Sequence, residues 1–254
     1  GPETEKGVSG LSWIKDRDSA SYSHFLFDSS RGQGNALKPN STNAQSSYNP
    51  NELKKFLKGG FSVGSSTEVN RATSYASWNW VANGGTTASN TDGSITSTVQ
   101  ANTLSGFSIT QYVGTSSNAT VGHGLGQKPD WVMLKNLDQS SAGSGDWMVW
   151  HKDIANTEYL SINDTDGKAT LATAWNSTSP TSSVISIGTA TRTNNSGDDH
   201  IIYAWHEVDG FSKFGSYTGN GSSDGTFVAT NFSPSFVMVK RTDSAGYDWQ
   251  IWDT

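Results

Sequence analysis

The chain has 254 residues, a formal net charge of −6, no Cys, 16% charged residues and 33% hydrophobic ones. Soluble domains carry about 25% charged and about 45–50% apolar residues, Gly included, so this chain is poor in both, yet it holds 10 Trp, 8 Tyr, 10 Phe and 39 Ser. These figures exclude disulfides and thiolate metal sites. They also oppose wholesale disorder, which is poor in aromatics, and a nucleic-acid backbone as main partner.

In chain order, Gly1-Pro2-Glu3-Thr4-Glu5-Lys6 has no apolar region and reads as no signal peptide. Trp13-Ile14-Lys15-Asp16 and Phe25-Leu26-Phe27-Asp28 fit the two arms of a hairpin. The best helical candidate is Asn51 to Lys58, with Pro50 in front and Gly59-Gly60 behind, which predicts about two turns. Asn83 to Ser105 is rich in Gly, Ser, Thr and Asn and reads as a linker. Trp131-Val132-Met133-Leu134 and Trp147-Met148-Val149-Trp150 are apolar on both faces, as in central sandwich strands, with a polar loop from Asp138 to Gly145 between them. Gly197-Asp198-Asp199 is a turn feeding the strand His200 to Trp205. No apolar run reaches the length of a spanning helix, so no membrane insertion is expected.

The main feature is an internal repeat. Gly106-Phe107-Ser108 recurs as Gly210-Phe211-Ser212, and Tyr112-Val113-Gly114 as Tyr217-Thr218-Gly219. Pro129 to Asn136 recurs as Pro234 to Arg241, and Asp146-Trp147-Met148-Val149-Trp150 as Asp248-Trp249-Gln250-Ile251-Trp252. A further copy lies near the start. There Ile14-Lys15-Asp16 answers Leu134-Lys135-Asn136, and Phe25-Leu26-Phe27 answers Met148-Val149-Trp150. Leu37 and Asn40 answer Leu160 and Asn163, Phe61-Ser62-Val63-Gly64 answers Ile185-Ser186-Ile187-Gly188, and Trp78-Asn79-Trp80 answers Tyr203-Ala204-Trp205. The spacing predicts an all-β protein of tandem repeated β-sandwich-like units built from short antiparallel strands. The units are a first at 11–84, incomplete at its start, a linker at 85–105, a complete second at 106–209 and a truncated third at 210–254. Such a plan suggests a piece of a longer repetitive protein.

The segments Trp13-Ile14-Lys15-Asp16-Arg17, Leu26-Phe27-Asp28-Ser29-Ser30-Arg31-Gly32, Gly122-His123-Gly124-Leu125-Gly126-Gln127-Lys128-Pro129 and Gly210 to Ser222 carry a resemblance. Together they resemble a repeat family of uncharacterised function in virion structural and tail-fibre-like proteins of marine tailed bacteriophages. The resemblance covers roughly 11–254. It implies a virion, extracellular setting. Implied partners are other copies of the chain, as a trimer or filament, other virion proteins and host cell-surface glycan. It implies no particular reaction.

Candidate chemistry is sparse. Trp147, Trp150, Trp249 and Trp252 recur at matching positions, which favours core over sugar platforms. The non-repeating Trp175 and Tyr22 are therefore the candidate ligand-binding aromatics. His123, within Gly122-His123-Gly124, fits a loop role better than a ligand role. Lys15, Lys135 and Lys240 recur and read as solvated strand ends with ion pairs. Glu158 and Glu207 are the acids that a glycan depolymerase, the less favoured alternative, would need. Asn163-Asp164-Thr165-Asp166-Gly167 is faintly like a calcium loop, but an Asx-turn accounts for it better. No catalytic residue, cofactor or metal is assigned. The sequence therefore points to a structural, non-enzymatic protein: a repeat module of a tail fibre or surface appendage, or a purely architectural self-assembling unit.

Overall fold

The computed structural model describes residues 10–57, 59–82 and 87–254. The opening stretch 1–9, read above as lacking an apolar region, lies outside the described residues. The class is all-β, as expected. The described residues hold seventeen short strands and one helical turn, α1 (Thr191–Asn194).

The first repeat segment contains β1 (Gly10–Asp16), β2 (Phe25–Asp28), β3 (Leu53–Leu57), β4 (Gly60–Val63) and β5 (Tyr75–Val81). Its sheet has the order β2-β1-β5, and β3 and β4 form a separate hairpin. The next strands are β6 (Ala88–Asn90), β7 (Ser97–Asn102), β8 (Phe107–Val113), β9 (Ala119–Gly122), β10 (Trp131–Asn136), β11 (Met148–His151), β12 (Glu158–Tyr159), β13 (Ala169–Thr170), β14 (Val184–Ile187) and β15 (Asp199–Trp205). The central sheet runs β11-β10-β15-β8-β7-β6, while β9 pairs β14 and β12 pairs β13. Last come β16 (Phe236–Val239) and β17 (Gln250–Asp253), a two-stranded ladder.

The repeat read from the sequence is a repeat of register. Ile14 faces Phe25 in β1/β2, Leu134 faces Met148 in β10/β11, and Val239 faces Gln250 in β16/β17. The third strand also recurs: Trp13 faces Trp78 and Leu11 faces Trp80, as Met133 faces Tyr203 and Trp131 faces Trp205. Because side chains alternate along a strand, each ladder has an inner and an outer face. The inner faces meet. Leu11, Trp13 and Leu26 share one buried cluster with Trp131, Met133, Val149, Tyr203 and Trp205, and Met238, Trp249 and Ile251 pack against it. The segments thus contribute to a common core.

The outer faces are covered separately. In the first segment Ile14, Phe25 and Phe27 pack with Leu53, Phe56 and Val69. In the second, Val132, Leu134, Met148 and Trp150 pack with Trp175, Ile185 and Ile187. The covering layers match down to their hydrogen bonds. Asn70 Nδ2 donates to Gly64 O as Asn194 Nδ2 donates to Gly188 O, at 2.7 Å each. The recurrent Gly has a steric reason: a Cβ would meet Asn51 O at 2.4 Å from Gly64 and Thr173 O at 2.1 Å from Gly188. In the third ladder the outer-facing Trp252 is 55% exposed, whereas its counterpart Trp150 is 1% exposed.

Two expectations are corrected. Where a helix is predicted over Asn51–Lys58, Leu53–Leu57 form the strand β3, and Lys58 lies outside the described residues. Leu53 and Phe56 are both buried, and their spacing of three mimics a helical stripe. A register shift between Leu53 and Lys55 produces the same effect in a bulged strand. Gly59, at φ +80, occupies the turn that leads into β4. The predicted linker at 85–105 carries β6 and β7, which extend the central sheet. Its polar composition is tolerated because β7 is paired on both sides, by β6 and β8. Among the described residues of that stretch, only Ile95 and Val99 supply buried aliphatic side chains.

Candidate functional site

The feature that recurs with the ladders is the seam between successive segments. At the first seam the fully buried Trp147 donates from Nε1 to Lys38 O at 3.0 Å, and Gln45 N donates to Leu137 O at 2.8 Å. At the second, Trp249 Nε1 donates to Ser161 O at 2.9 Å, and Lys168 N donates to Thr242 O at 2.8 Å. The acceptor Lys38 and the donor Gln45 each stand 123 positions before Ser161 and Lys168. The same bonds are therefore made twice between equivalent positions.

Asn40 and Asn163 explain the third motif of the repeat. Asn40 Oδ1 accepts from His24 N at 3.1 Å, and Asn163 Oδ1 accepts from Trp147 N at 2.8 Å. Each Asn fixes the entry of the second hairpin arm. In the first segment His24 occupies the position of Trp147, and its Nδ1 accepts from Trp13 Nε1 at 2.9 Å. Burial, with help from Lys15, lowers the His24 imidazole to about 4.

The recurrent lysines are not solvated strand ends. Lys135 is completely buried, and its Nζ donates to Asn136 O at 2.6 Å and Gln139 O at 3.0 Å. Lys15 Nζ donates likewise to Asp16 O and Ser19 O, and Lys240 Nζ donates to Tyr247 O. Each cation gathers the carbonyls of its hairpin loop. Desolvation lowers Lys135 to about 8, against the pull of Asp146 and Asp138.

The first seam also holds a buried charged network that the sequence did not point to. The Arg31 and Asp28 side chains are 1% and 0% exposed, with Nε and Oδ2 at 2.5 Å. Tyr203 OH donates to Asp28 Oδ2 at 2.6 Å, and Arg31 Nη2 donates to Tyr203 OH at 3.3 Å. Ser30 N and Arg31 N donate to Asp28 Oδ1. A charge this deep is tolerated only when paired and fully hydrogen-bonded. No local signal announces it, because Tyr203 lies 175 positions from Asp28.

The two aromatic candidates do not form an open platform. Trp175 is 1% exposed and sits in the outer core with Ala174, Ile185 and Ile187. It fills the layer that covers the second ladder, which is why it has no free face. Tyr22 is half-buried, with the Arg71 guanidinium 4.5 Å from its ring centroid. The structure does not bring the two together in one cluster. Of the four recurrent Trp expected in the core, Trp147 and Trp150 are buried and Trp249 packs partly buried against it, but Trp252 is 55% exposed, because no outer layer covers its ladder.

The carboxylates are equally occupied. The Ala155 N–H and the Lys168 ammonium hold the Glu158 carboxyl below its usual range. Burial opposes the Glu207 charge, but Lys152, Phe214 N and Lys213 outweigh it and lower its pKa. A glycosidic general acid needs the opposite shift. Asp164 Oδ1 accepts from Asp166 N at 3.0 Å, the predicted Asx-turn. His123 is buried. Its Nδ1 accepts from Leu125 N, its Nε2 lies 3.3 Å from Thr181 O, and burial lowers it to about 4. Among the described residues, no group of three or more His, Asp or Glu gathers into a metal-binding cluster.

Residues 5–254 match the family described as a domain of unknown function (DUF7483). The chain belongs to that family. No curated protein and no solved structure matches it. The first seam also carries a buried ion pair, Asp28 with Arg31.

Proposed function

We propose that the protein is an architectural β-repeat module of a larger assembly, and not a catalyst. The observation that carries this reading is the seam made twice, by Trp147 on Lys38 and by Trp249 on Ser161. A unit that joins its neighbour through equivalent bonds is the basis of repeat architectures, whose stability is a sum of units and interfaces. The titratable groups of the chain support it too: Lys15, Lys135, Glu158 and Glu207 are each engaged by loop carbonyls or ion pairs.

The resemblance to tail-fibre-like virion proteins sets this module in a fibre or surface appendage, outside the cell, with copies of itself and other virion proteins as partners. Host-glycan binding has less behind it. Trp175 is buried, Tyr22 is capped by Arg71, and the exposed Trp252 repeats a residue that a covering layer hides in the second segment. Electron microscopy and light scattering over rising concentration test the proposal. Ordered particles larger than the 27.1 kDa chain are expected. A strict monomer throughout, or release of reducing ends from host polysaccharide, overturns it.

A further inference from the structure

The layers that cover the outer faces of the first two ladders are equivalent bond by bond. Gly64 N donates to Glu52 O at 2.6 Å as Gly188 N donates to Ala174 O at 3.1 Å. Ser66 N donates to Asn51 O at 2.7 Å as Ala190 N donates to Thr173 O at 3.2 Å. Asn70 N then donates to Ser66 O at 2.9 Å as Asn194 N donates to Ala190 O at 2.8 Å. Glu52 therefore stands where the second segment has Ala174, a methyl group buried in an apolar layer.

Nothing in the packing calls for an acid there. Glu52 is 8% exposed, and its Oε2 has no hydrogen-bond partner among the described residues. A buried polar oxygen without a partner costs free energy, and a charged one costs more. The groups that face it are Asn49, before β3, Glu68, in the turn after β4, and Lys38, after β2. The Lys38 ammonium lies 5.1 Å from the Phe25 ring centroid. Burial, with the Glu68 charge, holds the Glu52 carboxyl above its usual range, against Asn49 and Lys38. The next residue, Leu53, is fully buried and begins β3. β3 and β4 pair only with each other, and a two-stranded hairpin is marginally stable alone. The cost at Glu52 thus falls on an element with little stability of its own.

We propose that the β3–β4 hairpin is a proton-controlled cover, seated over Phe25 and Phe27 while Glu52 is neutral and opening more often once Glu52 is charged. A carboxyl held above its unfolded value binds its proton more tightly in the closed state. Closure is therefore strongest below pH 4.5, the ordinary value, and weakens as pH rises through the raised one. His24, lowered to about 4, acts the other way and costs stability as pH falls. It stacks on Trp78 and accepts from Trp13, which belong to the inner core and not to the cover. Opening uncovers Phe25 and Phe27, which are 1% and 0% exposed in the closed state and share one cluster with Leu53 and Phe56.

The test is hydrogen exchange of the intact chain at mildly acidic and mildly alkaline pH, corrected for the intrinsic pH dependence of exchange. In the wild type, protection of β3 and β4 should fall as pH rises, while protection of β10 does not. Glu52→Gln, which keeps the shape and removes the charge, should abolish that fall. Glu52→Ala, which copies the second segment, should protect β3 and β4 about tenfold better at alkaline pH, because no buried oxygen is left without a partner. Protection of the hairpin that does not change with pH, that falls equally in Glu52→Gln, or that falls together with β10 overturns the inference. So does protection in Glu52→Ala that matches the wild type at alkaline pH.

Discussion

Replacing Trp147 by Phe tests the seam at a single atom. The indole is fully buried and its Nε1 donates to Lys38 O at 3.0 Å. Phenylalanine keeps the ring but removes the donor, which leaves a part-buried carbonyl without its partner at a cost of about 1–2 kcal/mol. The ring also shrinks by roughly 40 Å³, which at about 24 cal/mol per Å³ adds about 1 kcal/mol. The expected loss is therefore about 2–3 kcal/mol. For a domain of this size that lowers Tm by roughly 4–12 °C. The equivalent change at the second seam, Trp249→Phe, removes a bond of 2.9 Å from a half-buried indole and should cost about 0.5–1.5 kcal/mol. Urea unfolding of both variants against wild type measures the difference, with an unchanged m-value as the check that the same transition is compared. A Trp147→Phe loss below about 0.5 kcal/mol, the range of ordinary surface changes, would show that the indole bond does not hold the seam. So would a larger loss at Trp249.

Other predictions follow from the buried polar groups. Asp28→Ala leaves Arg31 as an uncompensated buried cation and should cost about 3–5 kcal/mol, whereas Tyr203→Phe, which removes one hydrogen bond to the carboxylate, should cost about 1.5–3 kcal/mol; thermal unfolding of both variants tests the order. His123 and His200 are fully buried and lowered by desolvation to about 4 from a usual 6.5. The unfolded chain therefore binds more protons between those values, and stability is full above pH 6.5 and falls as pH drops toward 4. At pH 5 the loss is about 2 kcal/mol for each imidazole, and combining His123→Gln with His200→Gln should make the acid limb of a stability–pH curve shallower, with His24 still contributing its own fall. Lys135, lowered to about 8, has the same sign in a higher window: its burial penalty is full below pH 8 and is relieved as pH rises toward 10.5, a gain absent in Lys135→Met. Finally, Trp252→Ser should change stability by less than about 0.5 kcal/mol, while Trp150→Ser, at a covered position, should cost about 3–5 kcal/mol by urea titration.

The fold was legible where residue types recur at fixed offsets. The matches of Ile14-Lys15 with Leu134-Lys135 and of Trp78-Asn79-Trp80 with Tyr203-Ala204-Trp205 anticipated strand pairs that share register. The Leu37 and Leu160 matches likewise became equivalent bridges to Leu26 and Val149. Elements whose local pattern has two physical readings were not legible. Leu53 and Phe56 satisfy both a helical stripe and a bulged strand, and only the cover needed over Phe25 and Phe27 selects the strand. β7 hid in a polar stretch because its backbone is satisfied by neighbours on both sides. At the candidate sites, Trp175 was singled out because it does not recur as Trp, yet it fills the outer core as Leu53 does in the first segment. The Asp28–Arg31–Tyr203 network was beyond reach, since charge pairing across 175 positions leaves no mark on spacing.

The three ladders share one core. Tandem units with separate cores would unfold separately. Ladders whose inner faces meet, as Trp13, Met133, Tyr203 and Met238 do, should unfold together. Differential scanning calorimetry of the intact chain tests this most directly. One transition is expected, with calorimetric and van't Hoff enthalpies that agree. Two or more resolved transitions, or a calorimetric enthalpy about twice the van't Hoff value or more, would contradict it.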